Sequence, residues 1–305
     1  MTKYSKRRGF IKSTLGLLLI RLIGSSFDYR KKLPLLSFST LGCPDWTFTE
    51  ILDFAVKNNF QGIELRGIQR QLDLTKCIEF SSEENIHSTI KILKDKKLKI
   101  VDLGSSAALH YDNLIDRVRN LDEAKRYVDL ANKIGCPYIR VFPDIFPKGK
   151  NKIAILDLIV NGLVDLGDYA KDSNVTVLME THGDVVNVAD LKTIMELTNH
   201  KNVGLIWDIV NMWEVTKVKP SEVYFELKKY IHHVHIKDAV MVNGKLAYTL
   251  LGKGETPILE AIDILRNDNY KGYYSFEWEK LWHPEIAEPA IALSDFSKVM
   301  NTIFN

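Results

Sequence analysis

Four short apolar runs end in side chains that can bind a metal ion. They are Val175-Thr-Val-Leu-Met-Glu180-Thr-His182, Val203-Gly-Leu-Ile-Trp-Asp208, His232-His-Val-His235-Ile-Lys-Asp238 and Tyr273-Tyr-Ser-Phe-Glu277-Trp-Glu279. Side chains alternate along a strand, so Glu180 and His182 share one face, His233, His235 and Lys237 share another, and Ser275, Glu277 and Glu279 a third. Glu180, Asp208, His235 and Glu277 together make a mostly oxygen shell with one nitrogen. That donor set suits one divalent ion, Mn2+, Mg2+ or Co2+ first, with Zn2+ also admissible. A shell without cysteine argues against a structural zinc site. Glu279 has the same parity as Glu277 and is its rival for the last ligand position.

Those residues converge only if the four runs are neighbouring strands with their C-terminal ends at one mouth. The rest of the chain supplies that frame. Leu35-Leu-Ser-Phe-Ser-Thr40 reads as strand one, Gly62-Ile-Glu-Leu-Arg66 as strand two, Leu98-Lys-Ile-Val-Asp-Leu103 as strand three and Tyr138-Ile-Arg-Val-Phe142 as strand four. Thr47-Phe-Thr-Glu50 is a capping box that starts the first helix. Further helices are expected over 81–97, 112–134 with Gly135 as C-cap, 153–171, 189–198, from Pro220, over 258–266 and over 285–304. Eight strands alternating with helices predict an α/β fold, a closed (β/α)8 TIM barrel in a single domain over residues 35–305. In that fold, chemistry sits at the C-terminal ends of the strands.

The 305 residues suffice for one barrel of this kind, which takes roughly 250. A net charge of +2 with scattered basic residues argues against a nucleic-acid surface. Three cysteines, Cys43, Cys77 and Cys136, have no CxxC spacing and read as buried thiols. Residues 1–26 differ from the remainder: Lys6-Arg7-Arg8-Gly-Phe-Ile-Lys12 precedes the apolar run Leu15–Ile20. A basic stretch before a short apolar one is the layout of an export signal. The paired arginines resemble a twin-arginine signal, with Lys6 where Ser or Thr usually stands. The apolar run falls short of the roughly 20 residues of a membrane span. The expectation is a signal over 1–26, a linker over 27–34, periplasmic export of the folded protein and no stable membrane span after processing. Without a working signal the protein would be cytoplasmic.

The Glu180-Thr-His182 triplet, His235-Ile-Lys-Asp238, and Gly272 followed five residues later by Glu277 make the sequence similar to the xylose isomerase-like barrel superfamily. That group contains tagatose/psicose 3-epimerases, inosose dehydratase, hydroxypyruvate isomerase and endonuclease IV. The resemblance covers about residues 33–304 and includes Gly62-Ile-Glu64-Leu. It implies that Glu180, Asp208, His235 and Glu277 bind the metal. It also implies that Glu180 and Glu277 are the catalytic carboxylates, passing a proton through a metal-stabilised enediolate of an unphosphorylated sugar. The expected activity is a metal-dependent sugar isomerase or epimerase.

Two departures bear on that expectation. Asn211 stands where the epimerases carry His, and Met241 where they often carry Arg, each normally a substrate contact. The alternative is a lyase or hydratase acting on a keto sugar, keto glycoside or cyclitol with the same metal site. A repair endonuclease would need many more histidines than the eight present. A non-catalytic sugar-binding barrel is the remaining option. Candidate substrate-binding residues are Glu64, His110, His182, Asn211, Trp46, Trp213, Lys237 and Asp238. Of these, Lys237 and Asp238 either bind substrate or brace the strand end, and the tryptophans offer faces for sugar C–H surfaces. The partner expected is a small carbohydrate, and the fold also allows a homo-oligomer.

Overall fold

The computed structural model describes residues 33–305, so the expected signal and most of the expected linker lie outside the described residues. Residues 33–305 form one compact unit. Eight parallel strands close a barrel: β1 (Leu35–Ser39), β2 (Gly62–Leu65), β3 (Lys99–Ala108), β4 (Tyr138–Phe142), β5 (Thr176–Glu180), β6 (Val203–Asp208), β7 (Ile231–Ile236) and the last barrel strand, Tyr273–Phe276, which pairs with both β7 and β1. Two further strands, β8 (Asp238–Val242) and β9 (Lys245–Thr249), form a separate antiparallel hairpin, so the last barrel strand is β10.

The helices between them are α1 (Phe48–Lys57), α2 (Glu83–Asp95), α3 (Leu114–Ile134), α4 (Lys152–Ala170), α5 (Val188–Thr198), α6 (Ile209–Thr216), α7 (Pro220–Leu227), α8 (Ile258–Asn267) and α9 (Pro289–Phe304). Local chemistry fixes several boundaries. Thr47 and Glu50 form the reciprocal capping box of α1, and Asn113 caps α3. Gly135 ends α3 with a φ of 72°, a conformation that costs a side chain energy. Several elements depart from the sequence expectation, the β8–β9 hairpin among them. β3 continues to Ala108 where a loop was expected after Leu103, and α6 follows directly from β6.

The barrel has two sharply different faces. Ile139, Val141, Val177, Met179, Leu205, Trp207, Val234, Ile236, Tyr274 and Phe276 join the large apolar core. Inward positions on β1, β2, β3, β4, β7 and β10 are polar and buried: Ser37, Ser39, Glu64, Asp102, Arg140, His233, His235 and Ser275. A register shift between β2 and β3 brings Asp102 opposite Glu64, and another between β6 and β7 brings His235 opposite Asp208. Strand pairing thus sets the polar groups at matched heights. Burying so many of them is tolerable because most bond one another; Ser37 and Asp102 are the exceptions.

The hairpin explains Asp238. Its Oδ2 accepts from the backbone N–H of Gly252 and of Gly254, both at 2.9 Å, and its Oδ1 accepts from Thr256 Oγ1 at 2.6 Å and Ala239 N at 2.9 Å. A side chain on Gly254 would collide with Asp238 Oδ1 at 2.0 Å. Asp238 is therefore a buried brace for the segment after β9, not the substrate contact considered from the sequence. Met241, at the position where epimerases carry Arg, sits out on β8 and is exposed. Asp238→Ala strands four donors around one site, and a denaturant titration should show a loss of about 3 kcal/mol. Metal affinity should not change in that variant.

Candidate metal centre

Glu180 ends β5, Asp208 ends β6, His235 lies one residue from the end of β7, and Glu277 follows β10. The four side chains offer ligand atoms within 4.8 Å of one another, and all are buried. His235 Nδ1 lies 3.4 Å from Glu277 Oε2, 3.5 Å from Glu180 Oε1 and 3.7 Å from Asp208 Oδ2, and has no hydrogen-bond partner. Its other nitrogen, Nε2, is 3.1 Å from Glu64 Oε2. If Nε2 carries the proton and donates to Glu64, the Nδ1 lone pair points at three carboxylates. Burial opposes positive charge on His235, but Glu277, Glu64 and Glu180 reverse that and hold its pKa well above the usual imidazole value. The site demands a cation at this spot, either a proton on Nδ1 or a metal ion bonded to it. The donor set fits a divalent ion.

Glu64 lies beneath the cluster. Its Oε2 faces His233 Nε2 at 3.0 Å as well as His235, and accepts from Ser275 Oγ at 2.9 Å. Burial works against its ionisation, yet the two imidazoles outweigh that and keep the carboxyl well below the usual range. Fully buried, Glu64 orients His235 and does not reach the pocket, which corrects its assignment as a substrate contact. Asp102 beside it behaves oppositely. Burial, reinforced by the charge of Glu64, pushes its pKa well up, and neither oxygen has a partner.

The mouth opens into a cavity of about 310 Å3 lined by Glu180, His182, Asn211, Lys237 and Glu277, and also by Leu41, Arg66, Arg140, Phe142, Tyr248, Glu279 and Trp282. That volume accommodates one small ring. Arg140 Nη1 donates to Glu180 Oε2 at 2.9 Å, and Nη2 donates to Ser105 O at 3.0 Å. Lys237 Nζ lies 2.8 Å from Asp208 Oδ2, 2.9 Å from Glu277 Oε2 and 2.6 Å from Glu279 Oε1. Glu279 thus stands outside the four-residue cluster, linked to it through Lys237. Asp208 Oδ1 accepts from Asn211 N at 2.8 Å, so Asp208 is the N-cap of α6, and Asn211 in the first turn of that helix lines the cavity. His182 packs against Phe142 with ring centroids 4.6 Å apart and the planes tilted by 50°, and its Nδ1 is 3.5 Å from Asp144 Oδ1. Burial lowers the His182 pKa, but Asp144 and Glu180 more than offset this and leave it raised.

Three sequence candidates lie elsewhere. Trp46 packs on Phe54, at 4.9 Å between centroids, and does not line the cavity. Trp213 turns away to carry Lys217 Nζ 3.6 Å from its ring centroid. His110 is buried against Tyr111, with Nδ1 3.8 Å from Asp144 Oδ2. Trp282 is the tryptophan at the cavity, and Arg66, Arg140 and Tyr248 are the lining groups the sequence reading did not select.

This geometry can be set beside known proteins. The model of the xylose isomerase-like TIM barrel family matches residues 52–296. The chain belongs to that family. A 3-dehydroshikimate dehydratase of Bacillus anthracis is 27% identical over 197 residues, 63% of this chain and 66% of that enzyme. An inosose dehydratase of Bacillus cereus (strain AH820) is 27% identical over 155 residues, 44% of this chain and 49% of its own length. The chain thus spans about two thirds and about half of these two relatives. The crystal structure of the IOLI protein with a bound zinc atom has the same fold at a TM-score of 0.74 and 18% identity, covering 88% of this chain and 99% of that one.

Glu64→Gln should weaken divalent-metal binding by about 10- to 100-fold in a calorimetric titration, because His235 loses the partner that orients it. Trp46→Phe and Trp213→Phe should bind the metal as the wild type does.

Proposed function

We propose that this protein is a divalent-metal-dependent enzyme acting on a small polyhydroxylated ring that carries a carbonyl, with β-elimination of water as the favoured outcome. One observation carries the reading. Glu180, Asp208 and Glu277 surround a partnerless His235 Nδ1 at the closed inner end of a ring-sized cavity. Glu180, Asp208, His235 and Glu277 would hold the ion, Mn2+, Mg2+, Co2+ or Zn2+. When bound, it supplies Lewis acidity that polarises the carbonyl and acidifies the neighbouring C–H.

The chain's own groups divide the proton work. Glu180 Oε2 is tied to Arg140, and Glu277 Oε2 to Lys237. Of the oxygens of Glu180 and Glu277, Glu277 Oε1 is the least engaged, 3.8 Å from Arg140, and is the base we assign to the C–H proton. His182, backed by Asp144 on the cavity wall, is the group we assign to give a proton to the departing hydroxyl. One proton is taken from carbon and one returned to hydroxide, so water leaves and a conjugated carbonyl remains. Dehydratase relatives support this outcome. Isomerisation or epimerisation is the second reading: Glu180 and Glu277, each held by its own cation, provide the two carboxylates it needs.

The purified protein should carry about one tightly bound divalent ion per chain, lost in both Glu180→Gln and His235→Ala. A chain that neither retains nor is thermally stabilised by any of the four ions would end the enzyme reading. On a turned-over substrate, Glu277→Gln should lower kcat by about a thousandfold and His182→Asn by about a hundredfold. Reaction in deuterated water separates the outcomes: deuterium in a product that has kept its oxygen means isomerisation, and loss of water means elimination. We also place the mature protein in the periplasm, on the strength of Arg7-Arg8 and the apolar run after them. Lysine at both positions should then leave the precursor in the cytoplasm.

A further inference from the structure

Arg66 is a buried guanidinium on the cavity wall with no carboxylate in ion-pair contact, although Glu123 and Glu180 act on it from further off. It is only 6% exposed, yet it lines the cavity. Its Nη2 donates to Ser106 Oγ at 2.9 Å and its Nη1 reaches Gly104 O at 3.5 Å, both neutral acceptors. Among the described residues no carboxylate comes within 4.0 Å of it, whereas Arg140, Lys237 and the imidazole of His235 all have carboxylate neighbours. Burial and the nearby positive charge of Arg140 depress the Arg66 pKa to about 10.

The two arginines meet over Gly104. A Cβ placed on that residue would lie 3.0 Å from Arg66 Cδ and 3.2 Å from Arg140 Nη2. A glycine therefore lets two like charges stand side by side. Such a pair is costly in a buried wall unless an anion joins it. The remaining charges agree. Three carboxylates (Glu180, Glu277, Glu279) and three fixed cations (Arg66, Arg140, Lys237) line the cavity, with Asp208 beneath. A divalent ion turns that balance positive.

We propose that Arg66, with Arg140 beside it, receives a carboxylate of the substrate, so that the enzyme acts on a cyclic hydroxy-keto acid and not on a neutral sugar. This rests on the function proposed above and narrows its substrate class. A carboxylate is planar and matches the fork of a guanidinium, and it adds little volume to a ring in a cavity of about 310 Å3.

The test is equilibrium binding to the metal-loaded full chain, with matched probes: quinate against methyl quinate, glucuronate against glucose, and glucose 6-phosphate. At least one acid should bind about 10- to 100-fold tighter than its neutral partner. Arg66→Met should erase that preference, and Arg66→Lys should retain part of it. The thermal midpoint of each variant serves as the control for folding. Equal binding of acids and neutral partners, absence of binding by both acids, a preference that survives Arg66→Met, or tighter binding of the phosphate ester would each overturn the proposal. If Arg66 merely braces Gly104 and Ser106, Arg66→Met lowers the midpoint and leaves the preference intact. Metal-dependent turnover of a neutral sugar would sink this inference while the proposed function stands. Loss of metal binding would sink the function and not the anion preference.

Discussion

Glu64, Glu180, Asp208, Glu277 and Glu279 occupy one end of one barrel, and they can do so only because positive charge is set between them. Arg140 ties down Glu180, Lys237 joins Asp208, Glu277 and Glu279, and His235 bridges Glu64 below to the ligand set above. In a water-excluded interior each of these ion pairs depends on its neighbours, since an uncompensated charge would cost far more than a lost contact. Within the ligand set the pattern leaves an electrostatic gap at His235 Nδ1, and on the cavity wall a surplus at Arg66. The gap is where a metal fits and the surplus is where an anion fits. Both follow from strand parity, because the barrel devotes its interior positions to polar groups and its outward positions to the apolar core.

The fold was legible because strand-type runs alternate with helices, several of them capped, over residues 35–304. The four cluster residues were legible because each sits at the end of such a run, where side-chain direction is set by backbone geometry alone. Heights within the barrel were not. Glu64 in β2 and Arg66 just past its end have the same parity, but only the strand register decides that Glu64 lies under His235 while Arg66 reaches the cavity.

Arg140 did leave a signal, being a charged residue inside the run Tyr-Ile-Arg-Val-Phe, where it has to face a polar interior. The hairpin left one too. Asn243-Gly244 lies between alternating residues and adopts φ of 51° and 77°, as the tight hairpin turn requires. Reading it would have placed Asp238 and Tyr248 correctly. Nothing comparable marked Trp282 over Trp46 or Trp213, since all three are aromatic residues in connecting segments or short helices, and only long-range packing separates them.

The floor under the cluster is sealed: Ser37, Glu64, His233 and Ser275 are fully buried and bonded or packed beneath His235. The cavity, with Tyr248 and Trp282 among its lining residues, thus has a closed floor of buried side chains. Whatever forms at the bottom must leave by the doorway through which its precursor came. Anything held at the bottom therefore blocks the entry of the next molecule until it has left.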